Sequence, residues 1–263
     1  MVINHSICKD FYWTSILGSL SKLIKQALQY MIEVKMVIQY ALNIKNVEQD
    51  DFFEKIRKKY PLRDQRIDKF YNEKDRVRCL YAEVITRYAL FNFGVDSNSV
   101  VIERDINGKP QLSNTKNLHF NISHSGDWVV CAISSSDVGI DVEEIKDNYI
   151  MDIAKNCLTD NEYGQLLYCE QCTQVSKFYK FWTLKESYVK NIGLGMKKSF
   201  NEFEFVLNGS KINFFIDGKE CADYYFEQYY LDEKHQVALC TKETTIKKCV
   251  IIEFEQLRQW ASE

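Results

Sequence analysis

The spacing of apolar positions changes several times along this chain, and each change marks an expected element. Residues 36–43, MVIQYALN, form an apolar run of strand length. From Val47 to Lys58 the pattern turns helical, with acidic residues at its start. Pro61 is placed to open a further short helix. A long helix is expected over 75–93, where Val77, Leu80, Tyr81, Val84, Ile85, Tyr88 and Ala89 share one face and Gly94 supplies the cap. Residues 100–104 read as a strand, Asn107-Gly108 as a tight turn, and 119–123, 128–134 and 138–143 as further strands. Helices follow at 150–156, at 161–169 with Thr159 as N-cap, and at 174–190, the last ending near Gly193. Four strand-like runs come next, at 203–207, 211–216, 224–230 and 236–241, and 250–260 closes the chain.

Each half therefore offers a long helix and several antiparallel strands. The expected class is α+β: two similar α+β subdomains in a pseudo-twofold arrangement, each a long helix packed on an antiparallel sheet. The expected division is an N-terminal extension over 1–35, a first subdomain over 36–136 and a second over 137–263. In the extension Ile16, Leu17, Leu20, Leu23, Ile24, Ala27, Leu28 and Met31 recur at helical spacing. Lys22, Lys25, Glu33 and Lys35 break any membrane-length run, so no transmembrane segment is expected, and no signal-peptide cleavage pattern follows. The stripe fits a helix packed on the body or a partner, or one lying on a membrane surface.

Composition narrows this picture only a little. With 46% hydrophobic and 27% charged residues in 263, the chain is an ordinary globular one. A net charge of −3 gives no basic field, so nucleic acid is not an expected partner. Nine irregularly spaced cysteines read as reduced thiols of a cytoplasmic protein. Cys169 and Cys172 form a C-x-x-C without the second pair that a zinc site needs. A monomer is expected.

The candidate chemistry lies in three motifs. In Val138-Gly139-Ile140-Asp141-Val142-Glu143 a strand places Asp141 and Glu143 on one face. That face is either solvated or a set of hard oxygen ligands for a divalent cation. In Trp182-Thr183-Leu184-Lys185-Glu186-Ser187, Glu186 is either a surface partner of Lys190 at i+4, or a third metal ligand or proton acceptor. Lys185 and Lys190 are either solvated charges or point charges for phosphate. In Asn121-Ile122-Ser123-His124-Ser125-Gly126, hydroxyl, imidazole and turn amides suit an anion better than a nucleophile–base pair, because Ser123 and His124 point to opposite sides.

Taken together and in this order, NISHSG, VGIDVE and FWTLKES resemble the 4′-phosphopantetheinyl transferase superfamily, and the doubled layout resembles its larger, Sfp-like branch. The resemblance implies transfer of the 4′-phosphopantetheine arm of coenzyme A to a serine of an apo acyl or peptidyl carrier protein, with release of 3′,5′-ADP and with Mg²⁺ bridging the pyrophosphate. It implies Asp141, Glu143 and Glu186 as metal ligands, Glu186 as the base and Lys185 as a second catalytic residue, near the phosphates. It implies Lys109, Ser123, His124 and Lys190 as coenzyme A contacts and, in the basic segment and helix upstream, Arg63, Arg66 and Arg78. Residues 1–35 have no counterpart in the family pattern, and Glu144 stands where relatives often carry lysine. The competing readings are a non-catalytic carrier-protein or coenzyme A scaffold and a metal-dependent phosphohydrolase.

Overall fold

The computed structural model describes residues 35–60, 67–97, 99–115, 117–146 and 150–262. Residues 1–34 of the extension, the helix expected at Pro61, and Arg63 and Arg66 lie outside the described residues. The first half runs β1 (Met36–Asn43), α1 (Asp51–Lys59), α2 (Glu73–Asn92), β2 (Ile102–Arg104), β3 (Pro110–Leu112), β4 (His119–Ser125), β5 (Trp128–Ser134). The second half runs β6 (Val138–Glu144), α3 (Ile150–Cys157), α4 (Asp160–Leu167), α5 (Gln171–Ile192), β7 (Phe203–Asn208), β8 (Lys211–Ile216), β9 (Lys219–Glu220), β10 (Tyr225–Asp232), β11 (His235–Thr241), β12 (Thr245–Ile246), β13 (Val250–Ile252) and α6 (Phe254–Ser262).

Local signals set most boundaries. Asp50 and Asn72 cap α1 and α2 through their side chains, and Thr159 with Glu162 forms a capping box on α4. Gly193, at φ 71°, ends α5 in the left-handed conformation that glycine adopts without a Cβ penalty.

The α+β expectation holds. One sheet orders β12-β1-β5-β4, with β13 also on β1; another orders β10-β11-β6. Both are antiparallel through their long strands. Strand alternation sorts the side chains of β5: Cys131 and Ile133 join the core around α2, while Trp128, Val130 and Ala132 join Val138, Ile140, Val142, Val237 and Leu239 in an apolar layer between the sheets. Ala238 and Cys240 of β11 turn the other way, into the core beneath α5. The order is helix, sheet, sheet, helix, and fully burying each large apolar side chain contributes about 1.5–3 kcal/mol.

One boundary is corrected. Residues 245–262 were expected in the second subdomain, yet β12 and β13 pair in parallel with β1, and Ile252, Leu257 and Ala261 sit in the first core. The end of the chain crosses back because α6 has an apolar face, which it buries against α2 and Phe52.

Candidate active site

The site forms where β4, an edge of the first sheet, runs beside β6, an edge of the second. Because Val138, Ile140 and Val142 face the layer between the sheets, Gly139, Asp141 and Glu143 face α5. Gly139 decides how closely. A Cβ there would stand 1.9 Å from the Ser187 carbonyl oxygen and 2.4 Å from the Asn191 nitrogen. Without it the helix backbone rests on the strand, and Glu186 and Lys190, one turn apart, stand beside Asp141.

β4 and β6 share no backbone ladder; side chains join them. Asn121, Ser123 and Ser125 alternate along β4 and so share one face. Asn121 Oδ1 accepts from the Ile140 amide at 2.9 Å. Ser123 donates to Asp141 Oδ1 at 2.9 Å, and Ser125 donates to Glu143 Oε2 at 2.9 Å while accepting from the Glu144 amide at 3.0 Å. Lys190 Nζ donates to Asp141 Oδ1 at 2.6 Å and to Ser123 Oγ at 2.9 Å. Trp182 Nε1 donates to Glu143 Oε1 at 3.3 Å.

The acids are crowded and poorly hydrated. Burial and the neighbouring Asp141 charge push the Glu143 carboxyl up to about 7, against the pull of Ser125, Lys190 and Trp182. Burial and Asp141 also raise Glu186. Burial opposes the Lys190 ammonium, yet Asp141, Glu186 and Glu143 together hold its pKa above the ordinary lysine value. Asp141 is 2% exposed, and its Oδ2 is buried with no hydrogen-bond partner. Among the described residues no three His, Cys, Asp or Glu side chains stand close enough to hold a metal ion by themselves. The three expected ligands are coupled through their charges, and Lys190 is the group bonded to Asp141.

Glu186 and Lys190 open onto a cleft of about 780 Å³, walled also by Lys109, Pro110, Ile122, Trp182, Val189 and Phe200. Other expected contacts are placed less simply. Lys109 lines this cleft, but its ammonium donates to the Asn191 carbonyl at 2.8 Å, bolting the β2–β3 hairpin to the end of α5; burial lowers its pKa. Arg78 donates twice to the Gly126 carbonyl, at 2.9 and 2.7 Å, with Asp75 steering it at 2.6 Å. His124 is on the opposite face of β4 from Ser123. Its imidazole reaches solvent, yet the surrounding protein disfavours the charged form and Lys190 and Arg78 repel it, so its pKa is lowered.

Lys185 is a correction. It was expected beside the reacting groups, but its side chain is 0% exposed, on the core side of α5. Its ammonium pairs with Glu162 at 2.8 Å and donates to the carbonyls of Phe200 and Phe203 at 2.7 and 2.9 Å. Adjacent helix residues point about 100° apart, so Lys185 and Glu186 serve different faces. Burial pushes both members of the pair toward neutrality, Lys185 down and Glu162 up.

The sequence reading passed over Asn121, Ser125, Gly139 and Trp182. The first two had a visible signal, since polar residues at alternate strand positions point to one polar face. Gly139 and Trp182 had none, because their roles depend on how α5 lies on β6.

Comparison with known proteins agrees with this architecture. Residues 48–136 match the family model "4′-phosphopantetheinyl transferase, N-terminal", and 137–240 match "4′-phosphopantetheinyl transferase superfamily". A 4′-phosphopantetheinyl transferase of Bacillus subtilis is 34% identical over 175 residues, covering 65% of this chain and 77% of its own. The transferase gsp of Aneurinibacillus migulanus is 40% identical over 142 residues, 54% of this chain and 59% of its own. Sfp of Bacillus subtilis strain 168 is 28% identical over 200 residues, 75% of this chain and 88% of its own. With its doubled α+β layout and these matches on either side of the β5–β6 connection, the chain belongs to the 4′-phosphopantetheinyl transferase superfamily, in the Sfp-like branch.

Proposed function

We propose that this protein transfers the 4′-phosphopantetheine arm of coenzyme A to a serine hydroxyl of an apo acyl or peptidyl carrier protein, releasing 3′,5′-ADP. The observation that carries the reading is the seam: raised carboxyls of Glu143 and Glu186 beside the Asp141–Lys190 pair, at the edge of a cleft large enough for a nucleotide-sized ligand. Glu186 takes the proton from the attacking serine; burial and Asp141 raise its basicity for that task. A bond forms between the serine oxygen and the phosphorus that carries pantetheine. The bond from that phosphorus to the bridging oxygen breaks, and its electron pair leaves with 3′,5′-ADP. Lys190 offsets negative charge on the phosphates with Ser123 hydrogen-bonded beside it, and His124, on the opposite face of β4, meets a different part of coenzyme A. Lys109 orders the hairpin at the edge of the cleft. No enzyme-bound intermediate is needed.

Mg²⁺ is the proposed cofactor, with Asp141, Glu143 and Glu186 as its ligands. The residues fit. All are hard oxygen donors, Asp141 Oδ2 is buried without a partner, and Mg²⁺ commonly takes one or two carboxylates and completes its shell from water and substrate phosphates. When bound, it would neutralise pyrophosphate charge. Among the described residues no helix is long and apolar enough to cross a membrane. The protein is proposed to act as a cytoplasmic monomer.

The test is mass spectrometry of a panel of apo carrier proteins incubated with the protein, coenzyme A and Mg²⁺. The expected outcome is a gain of one phosphopantetheine on the carrier serine. Glu186→Gln should lower the rate by about 10²–10⁴ without unfolding the protein. Release of 3′,5′-ADP with no carrier modified would favour hydrolysis, and coenzyme A binding with no reaction would favour a scaffold.

A further inference from the structure

The seam that holds Asp141 and Glu143 depends on the end of β4, and a cluster outside the cleft fixes that end. The β4–β5 turn, Ser125 to Trp128, is gripped from two sides. From the first subdomain, Arg78 donates both its Nε and Nη2 to the Gly126 carbonyl, and the Ile44 amide donates to the Asp127 carbonyl at 2.8 Å. From the second, the β10–β11 hairpin supplies His235 and Asp232. His235 is 4% exposed and its Nε2 accepts from the Asp127 amide at 3.4 Å. Its Nδ1 lies 2.8 Å from Asp232 Oδ1, and Asp232 Oδ2 accepts from Trp128 Nε1 at 2.8 Å. A carboxylate on Nδ1 fixes the ring's orientation and leaves Nε2 as the acceptor for the turn.

The fit is tight. Gly126 has φ +55°, and a Cβ there would come within 2.3 Å of His235 Nε2 and 2.9 Å of Glu144 Oε2. The ring therefore sits where the turn can have no side chain. Next to it, Ser125 is the residue that donates to Glu143 and receives the Glu144 amide. The turn is paired in its own sheet, but β4 and β6 share no ladder, so no backbone pairing fixes it against β6 and a shift toward or away from that strand passes to the Ser125–Glu143 contact.

We propose that Asp232 and His235 are positioning residues for the transfer reaction: they hold the β4–β5 turn so that Ser125 orients Glu143. This rests on the function proposed above. Neither residue touches the cleft, so the effect must travel through the turn. The pair is assigned to orientation, not to proton transfer.

The experiment is a double-mutant cycle of His235→Ala and Ser125→Ala on the full chain, read by transfer rate, by calorimetric affinity for coenzyme A with no added metal, and by urea denaturation. His235→Ala should lower kcat/KM about tenfold, as loss of an orienting partner commonly does, with the carrier's KM and the metal-free coenzyme A affinity unchanged. In the Ser125→Ala background that loss should nearly vanish, because the two residues act in series. His235→Asn, which keeps an acceptor near the turn, should recover part of the rate. An undiminished loss in the Ser125→Ala background would overturn the proposal, as would a loss seen only where urea shows partial unfolding. If the unaltered protein modifies no carrier, the functional reading fails; if it does and the cycle is additive, this inference alone fails.

Discussion

Helix α5 carries two ion-paired lysines whose surroundings differ in exposure and in how fully their partners are satisfied. On its core side, Lys185 and Glu162 are both 0% exposed, and every strong donor and acceptor is used: the ammonium serves two carbonyls, and Glu162 takes the amides of Thr159 and Phe205. On its seam side, Lys190 is 27% exposed and pairs with an Asp141 that still has one oxygen without a partner. The first pair is saturated and closed. It fixes α4, α5 and β7 together, and breaking it leaves a bare charge in the core. The second is unsaturated and open to a cleft, so its members can exchange one partner for another. Chemistry needs the second kind, and a fold tolerates it only where solvent or substrate can complete it.

The largest expected effect breaks the closed pair. Lys185→Met should destabilise the protein by about 3–5 kcal/mol at pH 7, measured by chemical denaturation. The loss should shrink at acid pH, where the abandoned Glu162 takes a proton, and adding Glu162→Leu should restore much of it. Wild-type stability in Lys185→Met would contradict the structural role of the Lys185–Glu162 pair.

An intermediate effect is expected from the open pair. Lys190→Ala should cost only about 1–2 kcal/mol, because the freed Asp141 can meet water at the cleft rather than remain bare. Added Mg²⁺ should recover part of that stability through binding to the folded state, read as a rise in melting temperature. Coenzyme A affinity should fall about tenfold or more, read by calorimetry, since a charged hydrogen-bond donor is removed. A Lys190→Ala protein that binds coenzyme A as tightly as the parent would remove Lys190 from the phosphate site.

The smallest effect follows from the acids. With its carboxyl raised to about 7, folded Glu143 keeps a proton that the unfolded chain has already lost. The folded state then binds more protons between about pH 4.5 and 7, so this group's contribution is favourable below that window and is lost as pH rises through it. Glu143→Gln should flatten that slope by on the order of 1 kcal/mol, visible in melting temperature against pH without metal. An unchanged slope would place the Glu143 carboxyl in the ordinary range.

Much of this was legible because long periodic runs impose their own geometry. The strands around Asp141 and the helix around Glu186 fell close to where spacing put them, and the motif order carried the family. Lys185 was misplaced although the helix period contained the answer. It lies among Phe181, Leu184, Tyr188 and Val189, the apolar stripe of α5, and a lysine inside such a stripe points to a buried partner. Glu162, on the preceding helix, gave no local sign of being that partner. The strands β12 and β13 were missed for a different reason. Runs of two and three residues are too short to show alternation, and parallel pairing with β1 is a contact across the whole chain.

That pairing has a consequence for how the molecule comes into being. The first sheet cannot reach its final width until the residues of β12 and β13 have been synthesised, and Lys59 cannot find the Ala261 carbonyl until α6 is made. The half that is translated first is thus the half that is finished last. Cutting the chain between β5 and β6 would not yield two independent modules, because the leading fragment would lack its edge strands and the trailing fragment would carry them with nothing to pair.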